Sequence, residues 1–326
     1  MTVPQKIIID TDPGQDDAVA ILLALASPEL EILAITAVAG NVPLALTQTN
    51  ARKICELAGR GEVAVHAGCD RPMARDLVTA ENVHGQSGLD GIALPEPVMP
   101  LRAGHAVDVI IEHLRAEPAG TVTLCVLGPL TNIATALQRA PDIAPRIKQI
   151  VLMGGAYFEV GNVTPAAEFN IYVDPEAAQC VFRAGVPLVV LPLDVTHKAL
   201  TSPARVSAFR QLAGGAQAAA RRAQGLPSVG EVVASWIDFF ERFDVEKYGA
   251  EGAPLHDPCV IAYLLAPELF GGRQVNVEIE VDSPLTRGMT VADWWGVTDR
   301  PANALFLREI DAEGFFALLT ERIGRL

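Results

Sequence analysis

The chain has 326 residues, half of them hydrophobic and 20% charged, with a formal net charge of −14. That composition belongs to a globular protein long enough to bury a large core. It has no run of Lys and Arg to serve as the basic footprint of a nucleic-acid binder, and an anionic ligand would need a local basic pocket that the sequence does not advertise. A neutral polar ligand fits the charge better.

The N-terminal MTVPQK runs directly into a strand-like IIID, without the apolar region of a signal peptide. No apolar run reaches membrane-spanning length; VPLVVLPL is strand-sized and broken by prolines, so no membrane partner is expected. The five cysteines are scattered and lack CxxC spacing, which predicts reduced thiols in a cytoplasmic protein.

In chain order, KIIID precedes DDAVAILLALA, EILAITAVAG precedes VPLALTQTNARKICELAG, and TVTLCVLG precedes PLTNIATALQRA. IKQIVLMGG, PEAAQCVFRAG and PLVVLPLD follow. Continuous apolar strands separated by helical patterns predict an α/β fold, a mostly parallel central sheet flanked by helices on both faces, with a Rossmann-like core. Irregular loops are expected over residues 68 to 100 and 214 to 230. From about residue 275, NVEIEV, MTVAD and ALFL predict further strands, and a last helix is expected around 311 to 324. No composition shift marks a linker, so residues 1–326 read as one domain.

Open parallel sheets bind ligands beyond the carboxyl ends of their strands. The polar residues there form a distinctive set: Asp10, Asp12, Asp16 and Asp17, then Asn41, Thr131, Asn132, Met153, Asp194 and His197. Local chemistry explains part of DTDPGQDDA. Asp16 can cap the following helix, Asp17 suits its positive end, and Asp12-Pro13-Gly14 makes a turn. It does not explain Asp10 and Asp12, which lie two apart and face one side of a strand end. Folded back by the turn, all four carboxylates converge. Either their pKa values rise or a hard divalent cation with oxygen ligands, Ca²⁺ or Mg²⁺, holds them together. No nearby His or Cys favours zinc. Further on, Asp257 before Pro258 reads as a helix N-cap, and His256 beside it is a potential proton donor.

The ordered set DTDPGQDDAVAILLA, AVAGN, VHGQSGLDG, LGPLTNIATAL, VLMGGAY, AEFNIYVDPEAA, LDVTHKAL, HDPCVIAY and RGMTVAD, from residue 10 to about 293, resembles the nucleoside hydrolases, the inosine–uridine-preferring N-ribohydrolase family. The resemblance implies one catalytic α/β domain that hydrolyses the N-glycosidic bond of ribonucleosides to ribose and free base, with a bound Ca²⁺. By matching motif, Asp12, Asp17 and Asp257 would supply carboxylates to the metal and Thr131 its backbone carbonyl. Asp12 would also be the general base toward water. Asp16 and Asn41 would hold ribose hydroxyls, with Met153, Asn162, Glu168 and Asn170 lining the ribose pocket and Asp10 supporting the site from behind. His256 would protonate the departing base, and His84 lies in a family loop near the base. Phe239 and Phe243 stand where inosine–uridine-preferring members have base-pocket tyrosines; they can stack but cannot relay a proton. His197 reads as structural. The family also implies a homodimer or homotetramer.

Two alternatives remain at the level of sequence. A Mg²⁺-dependent phosphatase of the haloacid-dehalogenase kind also places two aspartates at period 2 after a strand, though it needs a lysine and a Ser/Thr after other strands. A non-catalytic nucleoside-binding protein would share the fold without turnover.

Overall fold

Strand β1 (Gln5–Thr11) sends alternate isoleucines into two cores, Ile7 and Ile9 into one and Ile8 into the other, all fully buried. A strand covered on both faces must be apolar throughout, which is why KIII carries no polar alternation. The computed structural model describes residues 3–212, 214–248 and 252–326, without the side chains of 216 and 243–248.

After β1 come α1 (Gln15–Leu25), β2 (Leu30–Ala37), α2 (Leu44–Leu57), β3 (Val65–Ala67), α3 (Glu81–His84), α4 (Ala106–Ala116), β4 (Val122–Val126) and α5 (Thr131–Arg139). The chain continues through β5 (Ile147–Met153), α6 (Phe169–Val173), α7 (Pro175–Phe182), β6 (Leu188–Leu191), α8 (Leu193–Thr196), α9 (Pro203–Leu212), α10 (Ala216–Ala223) and α11 (Val229–Tyr248). It ends with α12 (Pro258–Leu265), β7 (Phe270–Val275), β8 (Val277–Ile279), β9 (Thr290–Ala292), β10 (Ala304–Ile310) and α13 (Ala312–Ile323).

Among the described residues, eight strands form one sheet in the order β3-β2-β1-β4-β5-β6-β10-β7, parallel except for β7, which runs antiparallel to β10. Residues of α1, α2, α11, α12 and α13 build the core on one face, and those of α4, α5 and α7 the core on the other. This is the single α/β domain with a mostly parallel sheet that the periodicity predicts. Every residue of α1 is buried, so DDAVAILLALA shows no polar stripe.

From β1 the chain steps outward to β2 and β3 on one side, then returns to lay β4, β5 and β6 on the other. The reversal opens a crevice beyond the carboxyl ends of β1 and β4, where such sheets bind ligands.

Four details differ from the sequence reading. The three-residue β3 and the Gly-containing β7 were not anticipated, and α10 occupies part of the expected 214–230 loop. In the tail, the NVEIEV and MTVAD segments form a separate two-stranded sheet as β8 and β9, while ALFL enters the main sheet between β6 and β7. Among the described residues, no helix is long and apolar enough to cross a membrane.

Candidate active site

β1 delivers Asp10 and Asp12 to the crevice, and the Pro13-Gly14 turn brings the chain back as α1, with Asp16 and Asp17 in its first turn. The helix N-cap is Gly14 rather than Asp16; its N–H donates to Asp17 Oδ2 at 3.0 Å, and the Thr11 hydroxyl donates to Asp17 Oδ1 at 2.5 Å. Asp257 occupies the N-cap position of α12 with Pro258 next, as expected, yet its carboxylate makes no capping bond. That side chain is therefore available to the crevice.

Oxygens of Asp16, Asp17 and Asp257, all buried, lie within 4.8 Å of one another. Asp12 is 1% exposed; its Oδ2 accepts the Asn41 N–H at 2.7 Å, while Oδ1 has no hydrogen-bond partner among the described residues. Burial, reinforced at Asp12 and Asp257 by neighbouring carboxylates, pushes the carboxyls of Asp12, Asp17 and Asp257 upward. Four carboxyls held this closely and away from water cannot all ionise without a counter-charge. The N-terminal ends of α1 and α12 offset part of it. The rest calls for a cation, and an all-oxygen donor set with an orphaned buried carboxylate oxygen fits a hard divalent ion.

Asp10 sits behind this cluster, its Oδ1 accepting from Thr36 Oγ1 at 2.5 Å and Asn132 Nδ2 at 2.8 Å. Burial raises its carboxyl to about 7. Thr131 starts α5 and donates its hydroxyl to Asp174 Oδ2 at 2.8 Å.

Above the carboxylates opens a cavity of about 510 Å³ whose walls include Asp16, Asn41, Met153, Asn162, Glu168, Asn170 and Asp257. Its polar groups are held in place by the backbone. Asn170 Nδ2 donates to Leu127 O at 2.6 Å and Met153 O at 3.2 Å, and Asn162 Oδ1 accepts from Phe169 N at 2.9 Å. Glu168 accepts N–H bonds from Gly155, Asn170 and Ile171, and burial raises its carboxyl to about 7.

Rings also line the cavity. Phe240 stacks on His84 at 5.7 Å and meets His256 edge-on at 6.4 Å, and His197 lies 5.8 Å from His256. Gln15 donates both amide protons to backbone carbonyls, so its Oε1, 2.7 Å from His84 Nδ1, accepts from that ring. His84 is then a neutral Nδ1–H tautomer with Nε2 left as an acceptor, and burial holds its pKa down at about 4. Burial, aided by His197 and His84, also holds His256 well below the usual imidazole range. His256 Nδ1 lies 2.7 Å from Thr196 Oγ1.

The aromatic register needs correction. Phe240, not Phe239, lines the cavity; Phe239 lies against Gly91, with Arg242 5.8 Å from its ring centroid. The side chain of Phe243 falls outside the described residues. The wall also includes Thr79, Asn82 and His197, which sequence reasoning did not assign to it; His197 faces Glu159 across 3.3 Å. The LDVTHKAL motif was the available signal for His197.

The model of the inosine-uridine preferring nucleoside hydrolase family matches residues 7–317. The chain belongs to this family. Over 97% of both chains it is 47% identical to the pyrimidine-specific ribonucleoside hydrolase RihA of Salmonella paratyphi B. It is 52% identical to an uncharacterized protein of Schizosaccharomyces pombe over 98% of this chain and 99% of that one. The solved purine-preferring ribonucleoside hydrolase from Gardnerella vaginalis superposes with a TM-score of 0.88 at 32% identity, covering 98% of each chain. This nucleoside hydrolase family member is thus an enzyme, a ribonucleoside N-glycosidase.

Two glycines make room for Asp12 in this nucleoside hydrolase. A Cβ at Gly40 would stand 2.0 Å from its Oδ2, and one at Gly128 2.2 Å from its Oδ1. Gly128→Ala therefore displaces the carboxylate. A displacement near 1 Å costs about 100-fold in turnover, which steady-state ribose release measures; a variant within twofold of the parent would show that Asp12 needs no such clearance.

Proposed function

We propose that the chain hydrolyses ribonucleosides with Ca²⁺ bound by Asp12, Asp17, Asp257 and the Thr131 carbonyl. The observation that carries this reading is the buried carboxylate cluster at a cavity lined by amides, carboxylates and rings together. A divalent cation held there supplies orientation and a lowered pKa to the attacking water.

Asp12 takes the water's proton at Oδ1, the oxygen its neighbours leave unbonded, while the Asn41 N–H holds Oδ2 and fixes the carboxylate plane. Asp16 and Asn41 grip the ribose hydroxyls. Cleavage builds positive charge on the sugar, as in glycoside hydrolysis generally. Met153, Glu168, Asn162 and Asn170 surround it with oxygens and a sulfur placed where that charge develops. Protonated in the substrate complex, His256 would donate from Nδ1 to Thr196 Oγ1, 2.7 Å away, and give its Nε2 proton to the departing base, returning to the neutral imidazole. His84 and Phe240 hold the base, His84 by its acceptor nitrogen and Phe240 by stacking.

A phosphatase reading finds no support in the cavity, since none of its described lining residues is a Lys or Arg able to hold a phosphate. The pyrimidine-specific relative at 47% identity favours uridine and cytidine over inosine and adenosine as substrates. Ribose release from these four nucleosides tests both statements. Turnover is expected on at least the pyrimidine pair, and four blanks in the presence of Ca²⁺ would remove the reading. Light scattering on the same preparation tests the homodimer or homotetramer that the family resemblance implies.

His256→Ala is expected to slow uridine about 100-fold or more, the lower range for a lost general acid. It should leave p-nitrophenyl riboside, whose leaving group needs no proton, within a few-fold. Equal losses on both substrates would exclude His256 as the proton donor.

A further inference from the structure

A second cleft, of about 600 Å³, lies outside the catalytic cavity and is lined by Arg71, Arg75 and Arg287 together with Met73, Val78, Tyr172 and Val173. On a chain of net charge −14, three guanidiniums in one cleft form the basic pocket that the sequence alone does not reveal, because Arg287 arrives from more than 200 positions away.

The three are not equivalent. Arg75 is engaged with the Glu176 carboxylate and the Val281 carbonyl. Arg71 is exposed, and Arg287 makes one hydrogen bond, to the Tyr172 hydroxyl at 3.0 Å, with its guanidinium 5.2 Å from the Tyr172 ring centroid. The Nε of Arg287 is buried with no partner among the described residues, so Tyr172 engages only one edge of its guanidinium. Asp76, the other acid of the cleft, sits on its exposed rim. Two guanidiniums without a carboxylate partner match the two charges of a phosphomonoester, and their planar forks suit its oxygens.

The cleft shares two walls with the catalytic cavity. Residues 71 to 78 line the cleft, and the same segment continues as Thr79, Ala80, Asn82, Val83 and His84 along the cavity. Helix α6 turns Asn170 to the cavity and Tyr172 and Val173 to the cleft. Asp174 ties the two together, since its Oδ2 accepts both the Met73 N–H at 2.8 Å and the Thr131 hydroxyl.

We propose that this cleft is an effector site for a small phosphomonoester, sensed at the catalytic cavity through residues 71 to 84 and α6. The coupling half rests on the function proposed above; the binding half does not.

Isothermal titration of the whole Ca²⁺-loaded protein with glucose 6-phosphate at constant ionic strength tests binding, and uridine KM with and without it tests coupling. Expected are saturable heat, at least tenfold weaker binding in the Arg71→Gln/Arg287→Gln double variant, and a KM change of at least twofold that the double variant lacks. Arg71→Gln alone, at an exposed position, weakens binding without threatening the fold, and Arg287→Lys, which keeps the charge but loses the planar fork, weakens it by less than Arg287→Gln. No saturable heat, or equal affinity in the double variant, overturns the site. Binding with unchanged KM overturns the effector role. A shift of oligomeric state in the double variant, with no response to the phosphomonoester, assigns the cleft to contacts between copies of the chain and overturns the proposal.

Discussion

Asp12→Asn is expected to lower kcat on uridine by about 10³–10⁴-fold, the upper range for removal of a general base, with a much smaller change in KM. Asparagine keeps the shape of the side chain and can still occupy the space between Gly40 and Gly128. It cannot accept a proton from water, and it brings one ligand fewer in charge to the cation. Asp10→Asn provides the contrast. That carboxyl lies behind the cluster, bonded to Thr36 and Asn132, so its replacement should cost less than tenfold. Steady-state ribose release on both variants decides the matter; an Asp12→Asn enzyme within tenfold of the parent would contradict its role as base.

Removing the cation should expose the electrostatic cost of the cluster. Treatment with a chelator is expected to abolish hydrolysis reversibly, with Ca²⁺ restoring it. It should also lower the melting temperature by roughly 5–10 °C, since an ion at a thousand times its Kd contributes about 4 kcal/mol. Asp257→Asn reverses the sign. In the chelated protein it removes one of four mutually repelling buried carboxylates, so the variant should melt above the chelated parent. With Ca²⁺ present it should melt below the parent, because one charged ligand is missing. Differential scanning calorimetry of the four samples reads this crossing. Parallel shifts of parent and variant under both conditions would mean that Asp257 is not part of a cation site.

The central sheet was legible because its strands are covered on both faces and therefore read as unbroken apolar runs, Ile7 to Ile9 and Leu188 to Leu191 among them. β3 escaped notice because three residues carry no period, and β7 because Phe270-Gly271-Gly272-Arg273 resembles a turn. Asp12, Asp16, Asp17 and Asp257 were identifiable for two different reasons. The first three are close in sequence, whereas Asp257 emerged only through its motif. The aromatic wall was harder. Neighbouring helix positions are rotated by about 100°, so an alignment uncertain by one residue names Phe239 where Phe240 faces the cavity. The downward pull on the His256 pKa could not be read at all, because it depends on burial and on His84 and His197, which are remote in sequence.

The interior position of β10 bears on how the site comes into being. Residues 304–310 come late in the sequence, yet they lie between β6 and β7 rather than at an edge. Asp257 is likewise some 240 positions from Asp16. The carboxylate cluster therefore closes only after contacts of long sequence separation have formed, which are the slow ones in folding. Assembly of the carboxylate cluster during refolding accordingly marks a late topological step, because Asp257 must arrive at the start of α12 before the cluster is complete.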